Sequence, residues 1–486
     1  GALDVTKARA EARCCPGTTC AALNASVLND NPNALCAPGY GGKLCLTCAP
    51  DYYKVGKEQN CVQCPGGGPD IGLAFLFVCA FCVLVFFGTF LYLFMMDSLK
   101  TTKAEKKASA VFGQLKILVS FCQIMSALPR VMSGVPFPSG FLAVAVPFKM
   151  FNLDFLGMLP ISVCRLAVGF HESLIVHVCL LPLLGSAIIA AYALVNVIKK
   201  PISAICWARR RAEIAKMLIL ATLFLYPGLA TRLFTLFNCT SLDDVDGGKL
   251  FLEVDWSIEC GVGKHAAMTV LGVAFMLLYI VGIPLLVLVL LFRNRRALHD
   301  ASHPQHDHVV FEFGGLTSQY EKRYYWFEVP SMLHKCLMTG ALVVIGKNST
   351  VQPLVAVLFQ LIFLLVVLKL SPFLSDDDDL SSFVGSLAIC LATLGSMVLI
   401  TEGSPIGGRS FDEAFLSTFF VSLMIGTFVF QVLMTVLSTE CGANVRERVW
   451  QMCTSGERRV ENGTTKVVPV NEGSDRNGFL TWGADE

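Results

Sequence analysis

The chain has 486 residues, 54% of them hydrophobic and 15% charged, against about 25% charged in an ordinary soluble domain. Mean hydropathy is +0.61 and net charge is +1, which excludes a soluble globule, a disordered chain and a basic nucleic-acid-binding surface. What remains is a polytopic membrane protein: an all-α helix bundle in the lipid bilayer, with a small Cys-rich module at its N-terminal side and no nucleic-acid partner. The first residue is Gly1 rather than Met, which reads as a processed or partial chain whose export signal lies outside it.

Residues 1–68 form the Cys-rich module. Eight of the twenty cysteines (Cys14, Cys15, Cys20, Cys36, Cys45, Cys48, Cys61 and Cys64) precede Pro65, a density expected of an oxidised extracellular domain. Taken alone, the spacing from Cys45 to Cys64 also suits a zinc ribbon. The exported location and the glycines and aromatics between the cysteines (Gly39–Gly42, Tyr52, Tyr53) argue instead for short hairpins. The stretch 36–64 resembles a laminin-type EGF or ephrin-receptor-like repeat. That resemblance implies bridges Cys36–Cys45 and Cys48–Cys61, and a stalk that spaces or adheres and offers a surface to an extracellular protein partner. Asn24 is a glycosylation candidate within it.

Residues 69–438 form the bundle. Apolar runs long enough to cross about 30 Å of hydrocarbon lie near 71–95, 112–132, 172–197, 214–237, 265–292, 327–346, 351–370, 380–401 and 413–437, predicting about nine spans. The segment 136–165 is apolar but carries Pro136, Pro138, Pro147 and Pro160, which predicts a re-entrant or interfacial piece rather than a span. With the N-terminus outside, sixteen Lys and Arg fall in cytosolic loops and seven in external ones, as the positive-inside rule asks. The C-terminus is then cytosolic, and the tail 439–486 reads as partly disordered. The sequon Asn238-Cys239-Thr240 is external in this topology and is a second glycosylation candidate. Cys239 and Cys260 share one external loop and are placed to pair. Asn348 and Asn462 are expected to stay bare.

Polar residues in this apolar context are the candidates for function. Glu328, Ser331, Lys335 and Thr339 recur on one helical face, and intramembrane ionisable groups point to protein interior or water. Gln352 and Gln360 share a face of the next helix, so a polar seam between the two is expected, either lining a path or serving as interhelical glue. Asp376, Asp377, Asp378 and Asp379 form a run that attracts cations at a pore mouth or serves a helix N-terminus. Asp243, Asp244 and Asp246 form an acidic external loop that fails EF-hand spacing. The loop His299–His308 holds four histidines, but Pro304 and loop flexibility speak against a metal site. No P-loop, dinucleotide fingerprint, nucleophile elbow, kinase set, voltage-sensor repeat or potassium filter is found. The expectation is a protein that is not an enzyme and has no cofactor, with Ca²⁺ only as a permeant or external ion.

An ordered set of short motifs runs through the bundle: Lys116 to Gln123, Phe151-Asn152-Leu-Asp154, Tyr226-Pro227, Asp255-Trp256 to Cys260, Tyr279 to Pro284, Tyr325-Trp326-Phe327-Glu328 and Ser371-Pro372-Phe373. In this order the region 110–440 resembles the transient-receptor-potential-like membrane proteins, the group related to fungal flavin-carrier and polycystin-like proteins and found in algae and other protists. The resemblance implies a calcium-linked, mechanically sensitive cation channel. A homo-oligomer and a place in the plasma membrane or a ciliary or secretory-pathway membrane are further expectations. Two other classes stay open: a membrane anchor or adhesion receptor for a surface assembly, and a lipid or small-molecule transporter.

Overall fold

The computed structural model describes residues 36–41, 47–49, 52–55, 60–63, 71–96, 102–152, 169–200, 204–241, 249–300, 302–345, 349–402 and 413–438. Two small antiparallel hairpins belong to the Cys-rich module, Tyr40–Gly41 with Thr47–Cys48 and Tyr52–Val55 with Asn60–Gln63. The bridge Cys48–Cys61 is formed and Cys36 is disulfide-bonded. Cys14, Cys15, Cys20, Asn24, Cys45 and Cys64 lie outside the described residues, as do Asp243, Asp244 and Asp246 of the acidic loop.

The apolar runs become helices in the expected order. They are α1 (Ile71–Met96), α2 (Thr102–Val131), α3 (Ser139–Phe148), α4 (Phe170–Ile198), α5 (Ala204–Thr235), α6 (Gly263–Arg293), α7 (Glu328–Thr339), α8 (Val351–Leu370), α9 (Asp376–Glu402) and α10 (Glu413–Leu437). Among the described residues, α2, α4, α5, α6, α8, α9 and α10 are long and apolar enough to cross a membrane, and α1 is apolar through Cys79–Phe94. The expected run 327–346 is the exception. It folds as α7, only 12 residues long, followed by a 3₁₀ turn over Ala341–Val344. Gly340 separates the two, because a Cβ there would lie 2.7 Å from the Phe234 ring of α5. The close approach of α5 requires glycine, and glycine ends the helix.

The bundle has two distinguishable ends. At one, strands Cys239–Ser241, Leu250–Leu252 and Asp255–Glu259 form a three-stranded antiparallel sheet, closed by the disulfide Cys239–Cys260. The C-terminus of α2 reaches this sheet through Ser133, which donates to Glu253, and α4 begins there with Glu172 paired to Lys264 of α6. At the other end, the first turn of α9 carries Asp376–Asp379. The loop 300–327 lies across that end, bridging Tyr320 to Phe373, and the Glu321 N–H donates to Pro372 O at 2.9 Å.

Two cores fill the interior. One is built on Phe121, Met125, Phe141, Ile389, Phe420 and Met424 from α2, α3, α9 and α10. The other is built on Leu174, Tyr226, Leu233, Leu291 and Leu316 from α4, α5, α6 and the loop. α7 belongs to both, giving Met338 to the first and Met332 and Cys336 to the second. In the segment read as re-entrant, α3 runs along α10, with Phe141 beside Phe420 and Phe148 beside Phe428. A 3₁₀ turn over Lys149–Asn152 follows and presses on α5 at Gly228, where any side chain would collide with the Asn152 carbonyl oxygen. Residues 153–168 lie outside the described residues.

The motifs scattered along the chain meet in space. Gln123 donates from Nε2 to Phe151 O and Phe224 O, both at 2.9 Å, and Asn152 Nδ2 donates to Gln123 O and Ser126 Oγ. In α6, residues Met276–Val281 form a π-helical segment. Pro284 has no N–H to offer Ile280 O, the acceptor four residues before it. Tyr226 supplies the missing donor, its hydroxyl lying 3.0 Å from that oxygen.

Candidate functional site

α7 begins with a carboxylate that is entirely buried. Glu328 has 0% exposure and forms an ion pair with Lys116 of α2. Tyr320 donates to Glu328 Oε2 at 2.9 Å, and Gln319 Nε2 lies 3.5 Å from the same oxygen. Glu328 Oε1 has no hydrogen-bond partner among the described residues. Burial, and then the Glu328 charge, hold the Tyr320 phenol well above its ordinary range, so Tyr320 stays a proton donor to the carboxylate. Lys116, Tyr320 and Glu328 come from three different elements: α2, the loop and α7.

Two turns along α7, Lys335 is 6% exposed and faces a cavity of about 60 Å³ lined by Lys116, Ser331, His334, Ser382 and Ser386, among others. That is room for a few water molecules. His334 stacks on Phe363 of α8 with ring centroids 3.8 Å apart. Its Nε2 lies 2.8 Å from Gln360 Oε1. Because Gln360 spends its own Nε2 on Ser386 O at 2.9 Å, Oε1 is the acceptor and His334 the donor.

The residues expected to form a seam between α7 and α8 take partners other than one another. Gln360 meets α7 through His334, not through the Glu328 face. Gln352 donates to two backbone oxygens, Val131 O at 2.9 Å and Leu342 O at 2.7 Å. Thr339 turns toward α5: Thr231 Oγ1 donates to Thr339 O at 2.7 Å, and Thr339 Oγ1 donates to Lys335 O at 2.8 Å. Lys116, Tyr320, Gln319 and His334 were missed in the sequence. Lys116 alone carried a signal, as a lysine at the edge of an apolar run.

The aspartate run occupies the first turn of α9, where its charge favours the helix dipole. Asp379 Oδ1 accepts the Phe373 N–H at 3.3 Å, and Asp378 is 5% exposed. The run and Glu328 share one end of the bundle, linked through the Tyr320–Phe373 bridge. The four loop histidines do not converge. His299 and His306 bond to the backbone oxygens of Arg295 and Ala297, His303 accepts the Gln305 N–H, and His308 faces Glu312.

The sequon at Asn238 needs correction. Asn238 is 5% exposed and its Nδ2 donates to Glu253 Oε2 at 3.0 Å. The atom that would carry a glycan is thus inside the fold, so the expected modification there does not fit this packing.

Residues 172–404, which hold α4 to α9 and the whole of α7, match the family model for the transient receptor potential (TRP) ion channel. Cysteine repeat modular protein A of Toxoplasma gondii is 25% identical over 159 residues, 31% of this chain. The chain spans 5% of that relative's length. No solved structure matches. Across residues 172–404, just under half of the chain, the resemblance carried by the ordered motifs is shown: this part of the membrane bundle is similar to the TRP ion channel family.

Proposed function

We propose that the chain is a TRP-like cation channel of a cell-surface or secretory-pathway membrane, calcium-linked and responsive to membrane tension, with its Cys-rich module outside and its C-terminus in the cytosol. The observation that carries this reading is the buried Lys116–Glu328 pair beside a cavity that Lys335, Ser331, Ser382 and Ser386 share with apolar side chains. Ionisable groups at such depth are costly and serve a path, a relay or a switch. The pair latches α2 to α7. Expansion of the bundle separates the two helices and lets water reach Glu328, whose charge, with Asp376–Asp379 at the same end, favours cations over anions. Lys335 opposes cations while it faces the cavity, so it is the gating residue in this scheme.

Current recording from the purified chain in liposomes under stepped suction tests this. The parent is expected to conduct cations with an open probability that rises with tension. Glu328→Gln should open at lower tension and lose cation preference, and Lys335→Ala should leak. Parent-like currents in both variants would reduce the cluster to helix glue. Silence from a well-folded preparation would favour a second reading, a membrane base for a Cys-rich surface assembly. The Toxoplasma relative, whose name describes a modular protein of cysteine repeats, supports that alternative.

A further inference from the structure

We infer that the cavity beside α7 is a binding site for one small monovalent anion of chloride's size and charge. Lys335 is more than nine-tenths buried, lines the cavity, and its ammonium makes no hydrogen bond or ion pair among the described residues. A buried ammonium left so is unfavourable unless something fills the space before it. The neighbouring charges do not fill it. Glu328 is held by Lys116 and Tyr320 and does not line the cavity. His334 donates to Gln360, and as a neutral ring it adds no charge. A second buried carboxylate, Asp378, packs against α2 at Gly113 and likewise does not line the cavity, so among the described residues no carboxylate lines the space before Lys335.

The hydroxyls around the cavity agree. Ser331, Ser382 and Ser386 line it, and their hydroxyls bond to no described residue. Elsewhere in the bundle Thr393 donates back to Ile389 O at 3.1 Å and Ser396 to Ala392 O at 2.8 Å, and in the cavity wall itself Ser120 is spent in the same way on Lys116 O at 2.6 Å. Three hydroxyl protons and an ammonium around one space form a donor set for an anion. A cation there would meet Lys335 head-on. The cavity of about 60 Å³ takes a chloride with a water or two and is too small for a lipid headgroup. This site stands whether or not the chain conducts.

The test is equilibrium dialysis of the purified full chain in detergent against radiolabelled chloride, with melting temperature measured in chloride and in gluconate at equal ionic strength. One saturable chloride per chain is expected, displaced by bromide and not by gluconate, with a rise in melting temperature of about 2–4 °C in saturating chloride. Lys335→Met should abolish both effects, and Lys249→Gln, at an exposed lysine beside the three-stranded sheet, should change neither. Ser382→Ala together with Ser386→Ala should weaken binding by about tenfold or more. This pair keeps the proposal testable if Lys335→Met does not fold. The absence of saturable binding to the folded parent would overturn the proposal, since a neutral amine facing water would then explain Lys335. Unchanged binding in Lys335→Met or in the serine pair would also overturn it.

Discussion

The two halves of α7 carry similar side chains and treat them oppositely. Toward the disulfide end, Thr339 bonds to Lys335 O and accepts from Thr231 at its own carbonyl, while Gln352 beside it divides its amide between Val131 O and Leu342 O. Toward the aspartate end, Glu328 keeps one oxygen without a partner, and Lys335 and three serines surround a cavity. One helical face thus contains both saturated glue and unsaturated chemistry. Buried polar groups are normally satisfied, and a cluster of exceptions marks a place that exchanges partners.

The largest effect expected from breaking this contrast lies in the ion pair. Lys116→Met leaves the Glu328 carboxylate buried without its counter-charge, which should destabilise the bundle by about 3–5 kcal/mol. Glu328→Gln should also destabilise it, and the double variant should recover most of the loss, because the remaining groups are then neutral. Thermal unfolding of the four proteins in detergent checks this. Additive losses in the double variant would mean that the two groups are not coupled, and the latch would fail.

On the saturated half, Gln352→Leu removes the amide donor from Val131 O and leaves Leu342 O with the Ile345 N–H alone. A loss of about 1–3 kcal/mol follows, with no change in conduction among the molecules that remain folded. A change in selectivity or tension threshold in this variant would extend the active region into the disulfide half and erase the distinction between the two.

How much of this was legible follows the range of the contacts. Apolar runs fixed by local composition became helices, and Cys239 and Cys260, close in one loop, became a bridge. The charged face of α7 was readable from its i, i+7 spacing. Its partner was not: Lys116 lies 212 residues away, and a lysine at the edge of an apolar run also fits a residue that reaches out to the interface. Tyr320 sits in a polar loop, where nothing in the local pattern signals burial. Asn238 shows the reverse failure. Its sequon is a pattern of three residues, whereas its exposure depends on Glu253, which the sheet brings beside it. Gln352 and Gln360 looked alike in sequence, and only tertiary packing separates a backbone cap from a partner of His334.

The smallest effect, and the sharpest in mechanism, concerns Tyr226, which belongs with α7 residues Met332 and Cys336 in one core. Its hydroxyl occupies the acceptor that Pro284 leaves empty in α6. Tyr226→Phe removes that donor while keeping the ring, so Ile280 O is left buried and unpaired at a loss of about 1–2 kcal/mol. Pro284→Ala restores an N–H four residues after Ile280. In the Tyr226→Phe background it should recover most of the loss, as the π segment Met276–Val281 relaxes toward regular α-helix. In the parent background the same substitution should gain little, since the oxygen already has a partner. Thermal unfolding of this cycle, with hydrogen exchange across residues 276–288, reads both outcomes. A deficit that persists in the double variant would show that packing, rather than the missing donor, holds the π segment. Tyr226 would then belong to the apolar core alone and not to the hydrogen-bonded glue that distinguishes the saturated half of α7 from the cavity.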